Sequence, residues 1–169
     1  NVTFVAPTSA GTGVVRSDNR TSVCFDGVNQ VGVHASVAIT PGPDHFFYFE
    51  AARTMPYAMG IGVSGSAPEL PANGSDFQPA KDGLYVHDGH ARTVDAQWGP
   101  QWSAVGDAAV LGFAVDARDN KYPVVYVIAP ASGNPSACAG MAPDAACVVA
   151  RHQLHGATGQ LWVHAWGSG

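Results

Sequence analysis

The sequence predicts an all-β protein, an antiparallel sandwich of two sheets, and three observations lead to that prediction. Charged residues make up only 12 % of the chain, while its 20 Gly and 12 Pro are spread along the whole length, which is typical of short strands joined by turns. Segments with strand character recur about every 8–12 residues, and we expect about ten to twelve strands. No segment has the periodicity of an amphipathic helix. All 169 residues are expected to form one domain, residues 1–169.

The strongest strand predictions are an aromatic segment at residues 45–50 and an apolar segment at residues 106–116. Four consecutive aromatic residues follow a Pro-Gly-Pro turn; such a run is too short for a helix and suits the centre of a sheet. Side chains alternate along a strand, so the first and third aromatic rings should point to one side and the second and fourth to the other. We therefore expect this strand to lie between two apolar surfaces.

The other predicted strands are short apolar or alternating segments bounded by Gly, Pro, Asn or Asp. In chain order they are residues 2–5, 13–16, 22–25, 31–39, 57–64, 84–87, 90–94, 121–128, 146–154 and 161–166. Asp88-Gly89 between two of these segments is a strong hairpin signal. Surface loops are predicted at residues 65–83, 95–102 and 129–145.

The order of these segments resembles the SPRY domain, a jelly-roll sandwich related to concanavalin-type lectin folds. The matching pieces are residues 31–39 with a following Pro-Gly turn, residues 47–50, 59–63 and 83–85, and residues 105–112 with Asp116. The resemblance covers roughly residues 14–128, and the cysteine-containing segment after residue 128 departs from the family pattern. It implies a binding module that holds a protein segment or a carbohydrate at loops at one end or at a sheet face. It implies no catalytic residues.

Charge and hydropathy exclude two classes of partner. The formal charge is −5 and the 8 Lys and Arg residues do not cluster, so no basic stripe for nucleic acid is present. No apolar run reaches the roughly 18 residues of a spanning helix, which predicts no membrane insertion. The start at Asn1 without Met fits a mature protein that is secreted, periplasmic or on a cell surface, and it fits an excised domain equally well. Two Lys among abundant Ala, Gly and Val indicate a bacterial source.

The three cysteines fall into a pair and a single residue. Cys138 and Cys147 flank a loop of Ala, Gly, Pro and Asp, a spacing that suits a small disulfide ring. A disulfide there would mean an oxidising compartment. Cys24 lies in a predicted strand, where a free cysteine usually belongs to the core.

Carboxylates give no clear catalytic pair. A glycosidase needs two carboxyl groups about 5–10 Å apart, but the only glutamates, Glu50 and Glu69, lie in unrelated segments. Asp107 and Asp116 occupy turn-like positions, where carboxylates usually accept backbone N–H groups. The Asp-rich turn that starts at Asp116 lacks the full ligand pattern of a calcium loop. Structural roles are therefore expected for these residues, and bound calcium remains an open question.

Histidine and serine patterns are also better explained by structure than by chemistry. His87 and His90 straddle the Asp-Gly turn, and His152 and His155 lie near a strand end; each pair could contribute to a metal site, but nothing supplies further ligands. We expect solvent-facing histidines, no metal and no cofactor. Ser64 lies between Val and Gly without the G-x-S-x-G spacing of a nucleophile elbow. A Ser-His-Asp hydrolase is not indicated.

Four tryptophans give the best indication of a ligand site, because flat aromatic rings with polar edges are what sugar rings stack upon. Trp98 and Trp102 bracket a Gly-Pro pair in a predicted loop. Trp162, His164 and Trp166 share one face of the last strand. That face is either covered as core or exposed as a ligand platform, and the sequence leaves both alternatives open.

The preferred interpretation is a non-enzymatic recognition module that binds a glycan or a protein segment. Long loops on a rigid sandwich are where recognition residues concentrate, so residues 66–82 and 95–104 are the predicted contact loops. The predicted ligand-binding residues are Tyr85, His87, Asp95, Trp98 and Trp102. Two alternatives are a polysaccharide-acting enzyme that uses aspartates, with Asp95 near the loop tryptophans, and a structural module of a cell-surface assembly.

Overall fold

The computed structural model describes thirteen strands and one 3₁₀ turn. The residues described are 4–5, 14–16, 23–25, 31–35, 38–52, 59–65, 82–87, 89–94, 98–105, 108–140, 142–155 and 159–167, and for strand residues 4–5, 14–16, 23–25 and 98–104 the description covers the backbone. Among these residues, no helix has the length and apolar character needed to cross a membrane.

The strands follow the order predicted from the sequence, with small shifts at their ends. They are β1 Phe4–Val5, β2 Val14–Arg16, β3 Val23–Phe25, β4 Val31–Ala35, β5 Phe46–Ala52, β6 Met59–Ser64, β7 Gly83–His87, β8 His90–Val94, β9 Trp98–Ala104, β10 Val110–Asp116, β11 Val124–Ile128, β12 Val148–Gln153 and β13 Trp162–Gly167. The antiparallel sandwich of the sequence prediction is confirmed.

The larger sheet has seven strands in the order β1-β4-β13-β6-β7-β8-β9. All neighbours are antiparallel, and the last strand, β13, lies between β4 and β6. On β13, His164 is opposite His34 of β4 on one side and Gly62 of β6 on the other. The sheet thus joins strands from both ends of the sequence.

The smaller sheet has four strands in the order β12-β11-β10-β5. The two strongest sequence segments are partners in it, since β5 pairs with β10 along its whole length and Phe49 stands opposite Phe113. Their rings stack with centroids 5.0 Å apart. The predicted alternation is confirmed, because Phe47 and Phe49 pack on the core. The predicted central position is wrong: among the described strands, β5 is an edge strand that pairs only with β10.

The core lies between the inner faces of the two sheets. Apolar side chains at alternate positions of each strand are fully buried there, as period-2 patterning requires. From the seven-stranded sheet these include Val33, Val63, Leu84, Val86 and Val163, and from the four-stranded sheet Leu111, Phe113, Val115, Val125 and Val127.

The opposite face of the seven-stranded sheet is also buried, which answers the question about the Trp-His-Trp face. Trp166 and His164 have no exposed surface, and Trp162 is half-buried. Glycines make room for the rings: a methyl group at Gly60 would overlap the Trp166 indole, and one at Gly62 would overlap the neighbouring strand. Such close approach is a common reason for glycine inside a strand. This face is therefore interior rather than an open platform.

The cysteine loop covers part of the outer face of the four-stranded sheet. Cys138 and Cys147 form the predicted disulfide, and a 3₁₀ turn over Pro135–Cys138 precedes the bond. Pro135 is buried above Gly112, where a methyl group would come within 2.8 Å of the proline Cβ. A third, two-stranded sheet of β2 and β3 holds the Cys24 backbone opposite Val15.

The main difference from the predicted elements is β9, because seven of the residues predicted as a contact loop, 98–104, form a strand. β9 is the edge of the seven-stranded sheet, and an edge strand tolerates a proline such as Pro100, which has no N–H to donate. The Gly-Pro pair was therefore a misleading loop signal. β11 begins three residues later than predicted because the Asp119 carboxylate accepts the N–H groups of Lys121 and Tyr122 and prolongs the turn.

Candidate functional site

One end of the sandwich, where β5 begins and β10 ends, gathers several turns, and we call it the Tyr122 end. Its described segments are residues 40–45, 117–123 and 154–155, with Asp82 beside them. Backbone hydrogen bonds connect these turns. Gly42 N–H donates to the Ala117 carbonyl at 2.9 Å, and Leu154 N–H donates to the Pro123 carbonyl at 2.8 Å. The turns therefore form one connected surface.

The β10–β11 turn is held by two aspartates. Arg118 forms a bidentate pair with Asp116, with Nε–H to Oδ1 at 2.8 Å and Nη2–H to Oδ2 at 2.6 Å. These hydrogen bonds hold the pKa of Asp116 below its usual range. Asp119 Oδ1 accepts the backbone N–H groups of Lys121 at 2.8 Å and Tyr122 at 3.1 Å. Fork-to-fork pairing and N–H capping both fix side-chain geometry, so the turn is preorganised.

An open pocket of about 560 Å³ lies at this turn, within the usual range for small-ligand sites. It is lined by Asp116, Arg118, Asp119, Asn120, Tyr122 and Val124. The lining combines hydrogen-bond donors, acceptors and one aromatic ring. Tyr122, 36 % exposed, is the only large hydrophobic side chain among the described residues that is classed as exposed.

A cluster of His, Asp and Tyr continues the surface on the side of β12. The ring centroids of Tyr122 and His155 are 6.0 Å apart in an edge arrangement. Both carboxylate oxygens of Asp82 accept the His155 backbone N–H at 3.0 Å, and His152 Nε2 lies 3.7 Å from Asp82 Oδ1. Asp82 has a positive φ of 56°, an unusual conformation for a residue other than glycine. Asp82 thus attaches the residue before β7 to the segment after β12.

Replacing Asp82 should separate the contribution of this attachment from that of its backbone conformation. We expect Asp82→Ala to lower the free energy of unfolding by about 1–2 kcal/mol, since it loses the hydrogen bond and alanine tolerates positive φ less well than aspartate. Asp82→Asn should remain close to wild type, because asparagine tolerates this region and keeps an acceptor. Asp82→Gly should fall between the two. Urea unfolding measures all three, and an alanine variant as stable as wild type would contradict the expectation.

The strand ends that flank the two predicted contact loops lie at the Tyr122 end. β6 reaches this end at Ser64 and β7 leaves it at Gly83, and the two residues are paired. β8 reaches the same end at Val94, which pairs with Trp98 at the start of β9. The connections β6–β7 and β8–β9 therefore start and finish beside the described turns.

The side chains of three of the five predicted ligand-binding residues lie outside the part of the chain that the structure describes. Asp95 lies outside the described residues, as do residues 66–81 between β6 and β7. The backbones of Trp98 and Trp102 belong to β9, and their side chains lie outside the description. Their part in ligand binding stays a prediction.

The other two predicted residues are not placed at the Tyr122 end. Tyr85, in the middle of β7, has no exposed surface, and its ring meets the Trp166 indole edge-on at 5.2 Å. Surface contact through Tyr85 is therefore corrected to an interior packing role. His87 lies at the opposite end of β7, half-buried and stacked on Trp166 at 5.7 Å. Strand alternation directs Tyr85 and His87 to the same covered face.

The structure brings together a serine and a histidine that sequence spacing did not connect. Ser64 Oγ and His164 Nε2 share a hydrogen bond of 2.7 Å although the residues are 100 positions apart. Both residues have no exposed surface, and His164 Nδ1 has no hydrogen-bond partner among the described atoms. A catalytic base needs a group that orients it and a nucleophile that substrate can reach. This pair is a buried hydrogen bond, and a hydrolase site is not built here.

Metal binding was considered for two histidine pairs. His87 and His90 face each other across the Asp-Gly turn, and both are half-buried rather than solvent-facing. The rings of His152 and His155 are 6.3 Å apart. Within the described part of the chain, no three His, Cys, Asp or Glu residues are arranged to hold a metal ion.

Sequence reasoning did not select the residues that form the pocket. The sequence identifies residues 116–120 only as an Asp-rich turn without a calcium pattern, and it assigns residues 121 and 122 to the following strand. A usable signal was present, because Asp116 and Arg118 stand two positions apart in a turn and Tyr122 directly follows the polar residues 119–121. Neither fact revealed that the β12 side would add His155, since that contact depends on tertiary structure.

Comparisons with known proteins support the fold. No family model matches the chain, and no curated protein matches it. Among solved structures, the chain is similar to the PSpry domain of TRIM65, with a TM-score of 0.55 and 16 % identity over 99 % of this chain and 86 % of that one. It also matches a legume lectin-like domain from Entamoeba histolytica, with a TM-score of 0.47 and 8 % identity over 100 % of this chain and 84 % of that one. The similarity to the PSpry domain shows that the chain has the SPRY-like β-sandwich fold that its segment order resembles.

Proposed function

We propose that this chain is a recognition module that binds a glycan or a protein segment at the Tyr122 end. The observation that carries the proposal is the open pocket of about 560 Å³ beside an exposed tyrosine. The turns around it are fixed by charge-assisted and backbone hydrogen bonds. Binding sites placed on preorganised turns of a rigid scaffold lose little entropy when a ligand binds.

Binding accounts for the carboxylates of the pocket better than catalysis does. A glycosidase needs one carboxyl group with a raised pKa that acts as a general acid. Of the two carboxyl groups in the pocket lining, Asp116 has a lowered pKa because Arg118 binds its ionised form. Asp119 accepts two backbone N–H groups. Asp116 thus binds Arg118 and Asp119 holds the turn, so both carboxylates have a structural task, as expected of a binding surface.

The proposed surface extends to the two connections that reach the same end. We include residues 66–81, Asp95 and Trp98 in it, because the strand ends that flank them, at Ser64, Gly83, Val94 and Trp98, lie at this end. Trp102 lies farther along β9, toward Ala104, which pairs with His90. A tryptophan ring beside Tyr122 would add stacking area for a sugar or an apolar side chain. The disulfide supports a place in an oxidising compartment, secreted, periplasmic or at a cell surface.

A binding screen tests this proposal with one variant at the proposed site and one control variant. Wild type, Tyr122→Ala and a control, Arg151→Ala, are tested against soluble glycans, insoluble polysaccharides and a peptide library, with intrinsic fluorescence as the readout. Arg151 is exposed on β12, and its guanidinium lies 5.9 Å from the Tyr126 ring centroid. We expect a bound ligand whose affinity falls with Tyr122→Ala and not with Arg151→Ala. Binding that is lost only in Arg151→Ala, or no binding to any class, would overturn the proposal.

A further inference from the structure

We infer that the pocket at the β10–β11 turn takes a neutral, hydroxyl-rich ligand, namely one or two units of an uncharged saccharide. This inference rests on the proposed function, and it selects one of the two ligand classes named there. It follows from three properties of the pocket: its charge balance, the pairing of donors with acceptors in its wall, and its small apolar component.

The first property is the charge balance of the β10–β11 turn. The turn carries Asp116, Arg118, Asp119 and Lys121, whose formal charges cancel. Arg118 and Asp116 neutralise each other in a bidentate pair at 2.6 and 2.8 Å, and Lys121 Nζ lies 5.1 Å from the Tyr122 ring centroid. A phosphate, sulfate or uronate binds where cationic charge is in excess. No such excess exists in this turn, so an anionic ligand gains little from the site.

The wall of the pocket supplies donors and acceptors side by side. The side chains of Arg118 and Asp116 are 44 % and 18 % exposed, so a planar guanidinium–carboxylate unit faces the pocket. Asn120, also exposed, adds an amide with both donor and acceptor groups. Each hydroxyl group of a sugar donates one hydrogen bond and accepts others. Neighbouring hydroxyl groups therefore match a wall in which donors and acceptors alternate.

The apolar component of the pocket is limited to Tyr122 and Val124. An apolar peptide side chain would desolvate the ion pair and the Asn120 amide without offering them any new hydrogen bond, at a cost for each desolvated group. A pyranose ring instead places its C–H face on the tyrosine and its hydroxyl groups on the polar wall. The volume of about 560 Å³ is in the range of ligand pockets.

The test uses the whole chain, isotope-labelled, and three kinds of probe. Neutral trisaccharides of glucose, mannose and galactose are compared with a heparin hexasaccharide and with an apolar peptide, and NMR resonances of residues 116–124 are followed at low and high salt. The variants are Arg118→Gln and Asn120→Ala, with Arg151→Gln as a matched exposed control. If Arg118→Gln perturbs the fold, Asn120→Ala still tests whether the pocket wall binds the saccharide.

We expect a neutral trisaccharide to shift these resonances, with an affinity independent of salt. Arg118→Gln and Asn120→Ala should weaken binding by about tenfold, the effect of one lost hydrogen bond to a charged or polar group, and Arg151→Gln should not. Binding of heparin alone, or of the peptide alone, at the Tyr122 end would overturn the saccharide inference while the recognition function stands. Trisaccharide binding that leaves residues 116–124 unshifted would also overturn it. Failure of all three probes would count against both proposals.

Discussion

Gly62→Ala is expected to lower the free energy of unfolding by about 3 kcal/mol or more, at the upper end of the cost of overpacking a core. A methyl group at this position would overlap the backbone carbonyl oxygen of Leu84 and the Tyr85 ring. The carbonyl belongs to β7, which is paired with β6 in fixed register. Because backbone cannot move away as the end of a flexible side chain does, two strands would have to separate.

Chemical denaturation of Gly62→Ala and of a control variant, Gly140→Ala, measures this effect. A methyl group at Gly140 would meet only the Ala142 carbonyl oxygen, at 4.0 Å, so this control should remain within about 0.5 kcal/mol of wild type. If Gly62→Ala were as stable as the control, the close approach of β6 and β7 described here would be incorrect.

Acidification should destabilise the domain through His164, and this is the second large effect. Burial, together with the nearby charge of His34, lowers the pKa of His164 to about 3 from an ordinary value of 6.5. The unfolded chain therefore binds a proton at this residue below pH 6.5, while the folded protein does not bind it until about pH 3. The sign follows from linkage: the free energy of unfolding falls as the pH decreases through this window, by up to about 1.4 kcal/mol per pH unit.

Between pH 7 and pH 5 the expected loss is about 2 kcal/mol from His164. His164→Gln should remove this dependence, because glutamine does not titrate and can hydrogen-bond Ser64 in place of the imidazole Nε2. His155→Gln, an exposed substitution, should keep the dependence of wild type. Urea unfolding of the three proteins at several pH values tests the expectation, and an unchanged pH slope in His164→Gln would contradict it.

The fold could be predicted because strand patterning is a local property. The aromatic run of β5 and the alternation of β4 identify strands without any knowledge of their partners. Sheet position is not local: β5 was expected at a centre, yet it is an edge strand among the described strands. Its inner rings pack on the core, while Tyr48 and Pro135 both approach Gly112 on the outer face. The segment around Pro100 was expected to be a loop, yet it forms the edge strand β9, which tolerates a proline.

The candidate site was harder to predict than the fold. The strand ends that flank the two predicted contact loops lie at this end of the sandwich, and the part of these loops in ligand binding stays a prediction. The buried position of Tyr85 was not predicted, because an aromatic side chain in a strand looks the same in sequence whether its face is open or covered. Arg118 and Tyr122 were missed because their significance depends on the partners Asp116 and His155, the second of which is 33 positions from Tyr122 and meets it only in the folded chain.

The position of β13 determines when the protein is able to fold. This strand, residues 162–167, connects β4 with β6 inside the seven-stranded sheet, so a nascent chain that ends at residue 155 holds two separate parts of a sheet. The contacts of β13 with β4 join residues more than 120 positions apart, and closing such distant pairings is slow, on the order of milliseconds to seconds. We therefore expect the seven-stranded sheet to close only after β13 has been synthesised, and until then the edges of β4 and β6 that it joins are open to pairing with other chains.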